Sequence, residues 1–281
     1  MDSINLPSEK IYKQHLQAYS QYTFSEDWID WAVRIIPYRA KRLIKTLQKY
    51  TDKDDIVLEL GSGIGLTLHI LAQAFPNTIG FDISQSAIDA SRELLKKVGL
   101  EIPLYCYDGK KLPFKSGSFD VVTAIDVIEH AENQKLMLSE IKRVLNSDGI
   151  VLITTPNKFW PLETHYRLMF LAFLPKKIAD KYVSLLHRGT EYDVKPLSYG
   201  NLLTVVSKFF KVEDITLDII KDDKEYGLDK ERGRKVVFIA NLLSFMQNLK
   251  DMPIINSLKR ALESTLLWFS EGWVLIGKPQ K

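Results

Sequence analysis

The sequence has little of three things that would mark a special protein class: cysteine, long apolar runs and charge of one sign. Cys106 is the only cysteine among 281 residues, so a disulfide framework is excluded and a reducing compartment is expected. No apolar run reaches about 18 residues, the length of a membrane-spanning helix. The polar opening "MDSINLPSEK" is unlike a secretory signal. We therefore expect a cytoplasmic protein without a transmembrane segment.

The charge balance argues against a dedicated nucleic-acid partner. The formal net charge is only +3, whereas nucleic-acid binders usually carry a strong basic excess or a basic stripe. Apolar residues make up 46% and charged residues 26% of the chain, which is typical of a globular protein with a buried core. We therefore expect no nucleic-acid partner.

Short apolar runs alternate with helical stretches between residues 51 and 156. The runs predict strands at 56–60, 78–83, 103–108, 119–126 and 149–156, and the stretches between them predict helices at 65–75, 85–98 and 132–145. Continuous apolar strands separated by helices indicate a parallel sheet that is covered on both faces. The predicted fold class is therefore α/β, with a doubly wound sheet.

The remaining segments lack this alternation. Residues 1–50 are predicted to form an N-terminal helical segment that Pro37 breaks or restarts, ahead of one domain over 51–281. Within that domain the residues predict, in order, a mostly helical insertion at about 157–197, a helix at 197–210, a strand at 211–220, a second helical insertion at about 221–270 and a closing strand at 272–279.

The stretch "LELGSGIG" places Gly61, Gly63 and Gly65 directly after a predicted strand and before a predicted helix. Glycines at such a turn adopt positive φ and let a ligand approach the backbone, and the helix behind them offers unpaired N–H groups. Asp82 ends the next predicted strand, where a carboxylate can accept both hydroxyls of a ribose. The pattern predicts a nucleoside cofactor.

The spacing of the glycines bears on which nucleoside binds. A dinucleotide fingerprint has its third glycine at the sixth place of the loop, which here is Leu66. Glu59 precedes the loop, and its carboxylate suits a cationic ligand end better than a pyrophosphate. An NAD-dependent oxidoreductase on a Rossmann-like fold and a non-catalytic nucleoside-binding protein remain as alternatives at this point.

Several further motifs, in the same order and spacing, resemble those of class I S-adenosylmethionine-dependent methyltransferases. They are "YDGKKLPF", "FDVVTAIDVIEH" and "LNSDGIVLITTPN", and the likeness is strongest to ubiquinone-pathway O-methyltransferases and to small-molecule methyltransferases linked to glycan or lipid modification. The resemblance implies S-adenosyl-L-methionine as cofactor. It also implies the positions that hold it, namely Glu59, Gly61, Ser62, Gly63, Gly65, Asp82, Ile83, Asp108, Gly109, Asp126 and Val127.

The resemblance implies a fold and a reaction as well. The sheet would have seven strands, mostly parallel, with the strand at 272–279 antiparallel and inserted beside the sixth. The reaction would be methylation of a small-molecule, glycan or lipid-linked acceptor at oxygen. N-methylation of a small molecule is the alternative, because an amine that is already neutral needs less help from the protein.

Two histidines are candidate catalytic residues. In "AIDVIEHAE", a helix starting after the fourth strand would put Asp126, Glu129 and His130 on one face. His130 could then act as a general base, or the three could bind a divalent cation, or they could be structural. His165, just beyond the fifth strand, is the second candidate base.

Both insertions combine apolar centres with basic edges. This pattern fits helices that cap an apolar acceptor, and it also fits peripheral contact with an anionic membrane surface. The third interpretation is that the apolar residues are the ordinary packing core of a helical cap, and all three stay open from the sequence alone.

Overall fold

The computed structural model describes residues 6–19, 26–232, 234–247 and 253–280. Its centre is a single sheet with the order β3-β2-β1-β4-β5-β7-β6. The strands are β1 (Val57–Leu60), β2 (Thr78–Asp82), β3 (Leu104–Cys106), β4 (Phe119–Ile125), β5 (Leu145–Pro156), β6 (Phe210–Asp214) and β7 (Gly272–Pro279). Strands β1 to β5 pair in parallel, whereas β7 lies antiparallel between β5 and β6. The predicted seven-stranded sheet with an inserted antiparallel last strand is confirmed.

Helices flank this sheet along most of the chain. They are α1 (Glu9–Tyr19), α2 (Glu26–Leu47), α3 (Leu68–Ala74), α4 (Gln85–Val98), α5 (Gln134–Val144), α6 (Lys176–Leu185), α7 (Tyr199–Val206), α8 (Thr216–Lys221), α9 (Leu228–Arg232), α10 (Arg234–Gln247) and α11 (Pro253–Trp268). A single 3₁₀ turn, Leu171–Phe173, precedes α6. In the described part of the chain, no helix is both long enough and apolar enough to cross a membrane.

The sheet forms because its central strands are apolar on both faces. Leu58 and Leu60 of β1 pack into one core cluster, while Val57 of the same strand packs into a second cluster on the opposite face. All three side chains are essentially inaccessible to solvent. Burial of this kind supplies most of the free energy that stabilises a parallel sheet between helical layers.

The N-terminal segment differs from its prediction at Pro37. Helix α2 continues through this proline instead of breaking there. The neighbouring Ile36 and Ala40 are buried against α1 and α3, so their packing offsets the backbone hydrogen bond that the proline ring removes. Residues 1–5 and 20–25 of the predicted segment lie outside the described residues.

The prediction of a mostly helical first insertion is wrong. Between residues 157 and 197 only the 3₁₀ turn and α6 are helical. The rest is irregular chain that includes an isolated antiparallel bridge between Leu162 and Met169. Three prolines in this range, Pro161, Pro175 and Pro196, interrupt helical hydrogen bonding, and a small separate core around Leu171 and Val183 holds the segment together instead.

The predicted strand at 211–220 is also only half right. Strand β6 ends at Asp214, and α8 begins at Thr216. The Asp214 side chain accepts a hydrogen bond from the Thr216 N–H, which helps turn the chain into the helix. The second insertion is mostly helical where it is described, through α9, α10 and α11, and residues 222–227 form turns. Residues 233 and 248–252 of it lie outside the described part of the chain.

Candidate active site

The glycine loop is fixed to the end of the neighbouring strand. The N–H groups of Gly61 and Ser62 both donate to the Phe81 carbonyl, at 2.7 and 2.8 Å. Gly61, Gly63 and Gly65 all have positive φ, between 52° and 86°. A Cβ on Gly63 would meet no heavy atom within 4 Å, so the loop faces open space there. The chain therefore presents a rigid backbone cradle that is free on one side.

Asp82 binds this loop with both carboxylate oxygens. Oδ2 accepts from the Gly63 N–H at 2.8 Å, and Oδ1 accepts from the Ser84 N–H at 2.9 Å. Ser84 in turn caps α4 by accepting from the Ala87 N–H. Each carboxylate oxygen retains a second lone pair, so Asp82 can shape the loop and still accept hydroxyl hydrogen bonds from a ligand.

Glu59 is a buried carboxyl group without a hydrogen-bond partner. It is 1% exposed, and neither carboxylate oxygen makes a hydrogen bond to any described residue. Burial raises the pKa of this carboxyl to about 8, and the charge of Asp82 acts in the same direction. The nearby Thr67 hydroxyl acts in the opposite direction and lowers the pKa of the Glu59 carboxyl, although neither carboxylate oxygen meets hydrogen-bond geometry with it. An orphaned buried carboxyl beside an open cradle is what a cationic ligand group would satisfy.

The residues that were predicted to hold the adenine ring of the nucleoside also lie close together. Ile83 is 65% exposed, and a Cβ on Gly109 would lie 3.5 Å from its Cγ2. Asp108 accepts from the Lys110 and Lys111 N–H groups, which hold the pKa of its carboxyl below the usual range. An exposed aliphatic side chain and a fixed carboxylate can contact the face and the amine edge of a purine ring.

Asp126 and Val127 connect the cradle to the candidate catalytic residues. Val127 packs on the loop so closely that a Cβ on Gly61 would lie 2.4 Å from its Cγ2. Asp126 has φ of 54°, and its Oδ1 accepts from the Thr154 hydroxyl at 2.9 Å. The turn between β4 and α5 therefore starts in contact with the glycine loop.

The predicted helix at 132–145 forms as α5, but no helix starts directly after β4, which the grouping of Asp126, Glu129 and His130 required. Residues 128–130 make a turn, and α5 begins only at Gln134, with Asn133 as its cap. The predicted grouping of Asp126, Glu129 and His130 on one helical face is therefore wrong. Asp126 bonds to Thr154, whereas Glu129 and His130 meet His165 from the first insertion.

The two candidate histidines are hydrogen-bonded to each other. The Nε2 atoms of His130 and His165 are 3.1 Å apart, with the rings nearly perpendicular. His165 Nδ1 lies 2.9 Å from Glu163 Oε1. One arrangement of protons satisfies both contacts: Glu163 accepts from His165 Nδ1–H, and His165 Nε2 accepts from His130 Nε2–H. His130 Nδ1 then carries a free lone pair, and no described residue bonds to it.

Glu129 is the most buried member of this cluster. Its side chain is fully buried, Oε2 accepts from the Thr155 hydroxyl at 2.9 Å, and Oε1 lies 3.5 Å from His165 Nε2. Burial, and then the charge of Asp126, raise the pKa of the Glu129 carboxyl to about 8. The cluster therefore combines a buried carboxyl group with a histidine pair.

The histidines are shifted in opposite directions. Burial, reinforced by His165, lowers the pKa of His130. Burial also opposes charge on His165, but the carboxylates of Glu163 and Glu129 outweigh it and raise the pKa of His165. Because the two groups interact, the pair titrates as a unit, and its first proton favours His165.

Glu163 is the partner that sequence reasoning missed. It is buried, and besides His165 it binds the Tyr166 N–H. Its only signal in the sequence was an acidic residue two positions before a histidine, which is too common a pattern to single out. His69 and His15 hydrogen-bond the carbonyls of Gly65 and Ile64 in the loop, respectively.

The chain is similar in sequence to several known methyltransferases. A methyltransferase domain family model matches residues 58–153. The ubiquinone biosynthesis O-methyltransferase of Coxiella burnetii is 27% identical over 191 residues, which is 66% of this chain and 76% of that protein. The malonyl-[acyl-carrier protein] O-methyltransferase of Legionella pneumophila is 33% identical over 129 residues, or 44% of each chain.

A solved structure reproduces the fold. The PH0226 protein from Pyrococcus horikoshii aligns with a TM-score of 0.56 and 17% identity, over 95% of this chain and 99% of that one. S-adenosylmethionine, the cofactor of such methyltransferases, fits three features of the site. They are the open glycine loop, the unpartnered Glu59 carboxyl and the Asp82 carboxylate, which can accept from ribose hydroxyls. Motifs, fold and relatives agree: the chain belongs to the class I S-adenosylmethionine-dependent methyltransferases.

Proposed function

We propose that the protein methylates an oxygen atom of an apolar small-molecule or lipid-linked acceptor, with His130 as the general base. The observation that carries this proposal is the hydrogen-bonded series His130–His165–Glu163, which leaves His130 Nδ1 free. An oxygen nucleophile needs to lose a proton, whereas a neutral amine does not. Both relatives described above are O-methyltransferases by name, which supports oxygen as the acceptor atom.

The cofactor would lie along the cradle between β1 and β2. Glu59 and the loop from Gly61 to Gly65 would hold its amino-acid end. Asp82 would accept from the ribose hydroxyls, and Asp108, Ile83 and Gly109 would enclose the adenine. When bound, S-adenosylmethionine supplies a methyl group that its sulfonium already activates.

The protein's own task is then alignment and proton removal. Val127 contacts both the cradle and the turn that carries His130, so it would set the distance between the cofactor and the base. His130 Nδ1 would accept the acceptor's hydroxyl proton as the oxygen takes the methyl group. His165 would hold the other side of the ring, and the Glu163 carboxylate would stabilise the resulting positive charge.

We further propose that the first insertion, residues 157–197, and the N-terminal helices enclose this site. Glu163 and His165 belong to the insertion, so folding of that segment completes the base series. Exclusion of water by such a cover would favour transfer to the acceptor over loss of the methyl group. On this view the domain over 51–281 is the catalytic unit, and the two insertions determine which acceptor binds.

A divalent cation is the competing explanation for the same residues. Ligand atoms of Glu129, His130 and His165 lie within 4.8 Å of one another, and two imidazoles with a carboxylate suit a transition metal. Glu129 Oε1 has no hydrogen-bond partner in the described residues, which fits a role as ligand. In that case the ion, rather than His130, would acidify the hydroxyl.

The test compares matched acceptors and matched variants. The assay uses S-adenosylmethionine with an isotopically labelled methyl group. It measures transfer of the label to an alkyl catechol and, separately, to the corresponding alkyl aniline. We expect the catechol to be labelled, and His130→Asn to lower its kcat by about a hundredfold while the Kd for the cofactor stays unchanged. His187→Asn is the control, because His187 is exposed and adopts a positive φ that asparagine tolerates.

Two results would contradict the base assignment. Labelling of the aniline alone would favour the amine alternative. Stoichiometric bound metal, together with complete loss of catechol labelling after chelation, would assign the role to the cation.

A further inference from the structure

Exposed apolar side chains are concentrated in the two insertions. All large apolar residues that the described structure exposes, except Ile56, Ile83, Tyr105 and Leu136, lie between residues 159 and 269. A monomer surface normally carries such residues singly, and a contiguous group indicates a place of contact.

Part of this surface is one connected aromatic patch, formed by Phe159, Phe170, Phe173 and Trp268. The rings of Phe159 and Trp268 stack with centroids 6.0 Å apart, and Phe173 contacts both Phe159 and Phe170. Each of the four side chains is between 41% and 54% exposed. The patch joins the first insertion to the end of α11, so the two insertions share one surface.

The backbone beneath the patch is strained. Phe170 and the preceding Arg167 have φ of 60° and 57°, a region that costs free energy for side chains of this size. Phe170 does not recover that cost by burial, because 54% of it remains exposed. A strained residue that presents an aromatic ring to solvent is a sign of function, not of packing.

Helix α6 extends the surface directly after the 3₁₀ turn. Its inner side buries Ala179 and Val183. Its outer side exposes Ile178 and Leu185, and the lysines Lys177 and Lys181 are exposed on the same helix. An ordinary solvent-facing helix surface is polar, whereas aliphatic residues interleaved with lysines are typical of helices that lie on a lipid surface.

The charge of the two segments identifies the partner. Residues 157–197 contain seven basic and four acidic residues, and residues 221–270 contain nine basic and seven acidic ones. Since the whole chain carries only +3, the rest of the protein is net negative. A second copy of the chain would place like charges against each other, whereas an anionic lipid surface is complementary.

We propose that the aromatic patch and the outer side of α6 dock the protein on an anionic lipid bilayer. The rings would enter the interfacial region, and Lys177 and Lys181 would lie among the headgroups.

This surface adjoins the candidate active site through one short loop. The bridge between Leu162 and Met169 closes a loop that directs His165 toward His130 and carries Phe170 on the outside. An acceptor held in the membrane beneath the aromatic patch would therefore lie close to His130 and would not have to leave the bilayer to reach it. This consequence rests on the proposed function, but the docking itself does not.

The test is sedimentation of the full chain with vesicles, without cofactor or acceptor. The probes are vesicles of phosphatidylcholine alone and vesicles in which phosphatidylglycerol replaces part of it. We expect binding to the second kind and little to the first. Phe170→Ser with Phe173→Ser should lower the apparent affinity about tenfold or more, because two interfacial aromatics are lost.

Matched variants separate docking from altered folding. Leu136→Ser removes an exposed apolar residue elsewhere and should leave binding unchanged. Lys177→Glu with Lys181→Glu should weaken binding to the anionic vesicles, whereas Lys96→Glu with Lys97→Glu, on exposed positions of α4, should not. Cofactor affinity by calorimetry should remain that of the wild type in all four variants.

The proposal is overturned if the wild type stays in the supernatant with anionic vesicles, or if the patch and lysine variants bind as the wild type does. It is also overturned if the protein is a dimer that Phe170→Ser converts to a monomer, since the patch would then be an interface between copies. None of these outcomes would affect the assignment of methyl transfer, because no turnover is measured.

Discussion

The Tyr12 hydroxyl lies 2.6 Å from His69 Nε2, and the opposite nitrogen of that imidazole lies 2.9 Å from the Gly65 carbonyl. Both side chains are buried. Burial lowers the pKa of His69 to about 4, so the ring is neutral, with its proton on Nδ1 and its Nε2 accepting from Tyr12. Helix α1 thus supports the glycine loop through His69.

We expect Tyr12→Phe to lower the free energy of unfolding by about 1–3 kcal/mol, because His69 Nε2 would be buried without a partner. The Kd for S-adenosylmethionine should rise as well, since the Gly65 carbonyl loses a fixed donor. Denaturant unfolding and calorimetry measure the two effects. Tyr105→Phe removes a hydroxyl from a residue that is 46% exposed and should change neither.

Glu59 should couple cofactor binding to proton release. With a pKa of about 8, raised by burial, its carboxyl is mostly protonated near neutral pH. A bound ammonium group favours the carboxylate, so the proton should leave on binding. Calorimetry at about pH 7 in buffers of different ionisation enthalpy should give up to about one proton released. Glu59→Gln should abolish this difference, and Glu132→Gln, at an exposed site, should keep it.

The same carboxyl gives a separate prediction for stability. The folded-state pKa of Glu59 lies above its unfolded value, so its contribution is complete below the unfolded pKa and is lost as the pH rises through about 8. Glu59→Gln should therefore stabilise the cofactor-free protein more at alkaline than at acidic pH. Thermal unfolding across that pH range measures this, and an equal change in Tm at every pH would contradict it.

Asp82→Ala should weaken cofactor binding more than loss of a ribose contact alone. The variant removes the acceptor for the Gly63 and Ser84 N–H groups, so the cradle itself loosens. We expect the Kd to rise about tenfold or more by calorimetry. Asp89→Ala, which removes a surface ion pair with Arg92, is the matched control and should leave the Kd unchanged. An unaltered Kd in Asp82→Ala would remove Asp82 from the cofactor site.

The sheet could be predicted from the sequence because local pattern and tertiary structure agree there. The runs at Val57–Leu60 and Phe119–Ile125 are mostly apolar and largely buried on both faces, so the sequence pattern predicts central strands there. The glycine loop was predictable for a similar reason, since its function depends on consecutive backbone positions. Glu59, Asp82 and the loop are close in space because their strands are neighbours.

The base series could not be predicted in the same way. His130 and His165 are 35 positions apart and meet only because the first insertion folds back over the carboxyl end of β4. That insertion has its own small core and an exposed aromatic patch, so its apolar residues follow neither helical nor strand periodicity. Helix α2 shows the converse, because packing around Pro37 overrides a local signal that would otherwise end the helix.

The hydrogen-bonded series His130–His165–Glu163 should make methyl transfer depend on pH. His130 can accept a proton only while His165 is neutral, because a protonated His165 donates Nε2–H to His130 and leaves the proton of His130 on Nδ1. Activity should therefore fall as the pH drops through the pKa of His165, which Glu163 and Glu129 raise against the effect of burial. The acidic limb of the kcat profile should lie above the pKa of an ordinary histidine.

Glu163→Gln removes one of the charges that raise this pKa and keeps a hydrogen-bond acceptor for His165 Nδ1. The acidic limb should then move to lower pH, and the plateau kcat should fall by about tenfold because the imidazolium loses its counter-charge. Glu191→Gln, an exposed acid in the same segment, should leave both unchanged. A plateau that falls while the limb stays in place would mean that Glu163 only supports the fold of the insertion, and that His165 is not the group whose protonation stops the reaction.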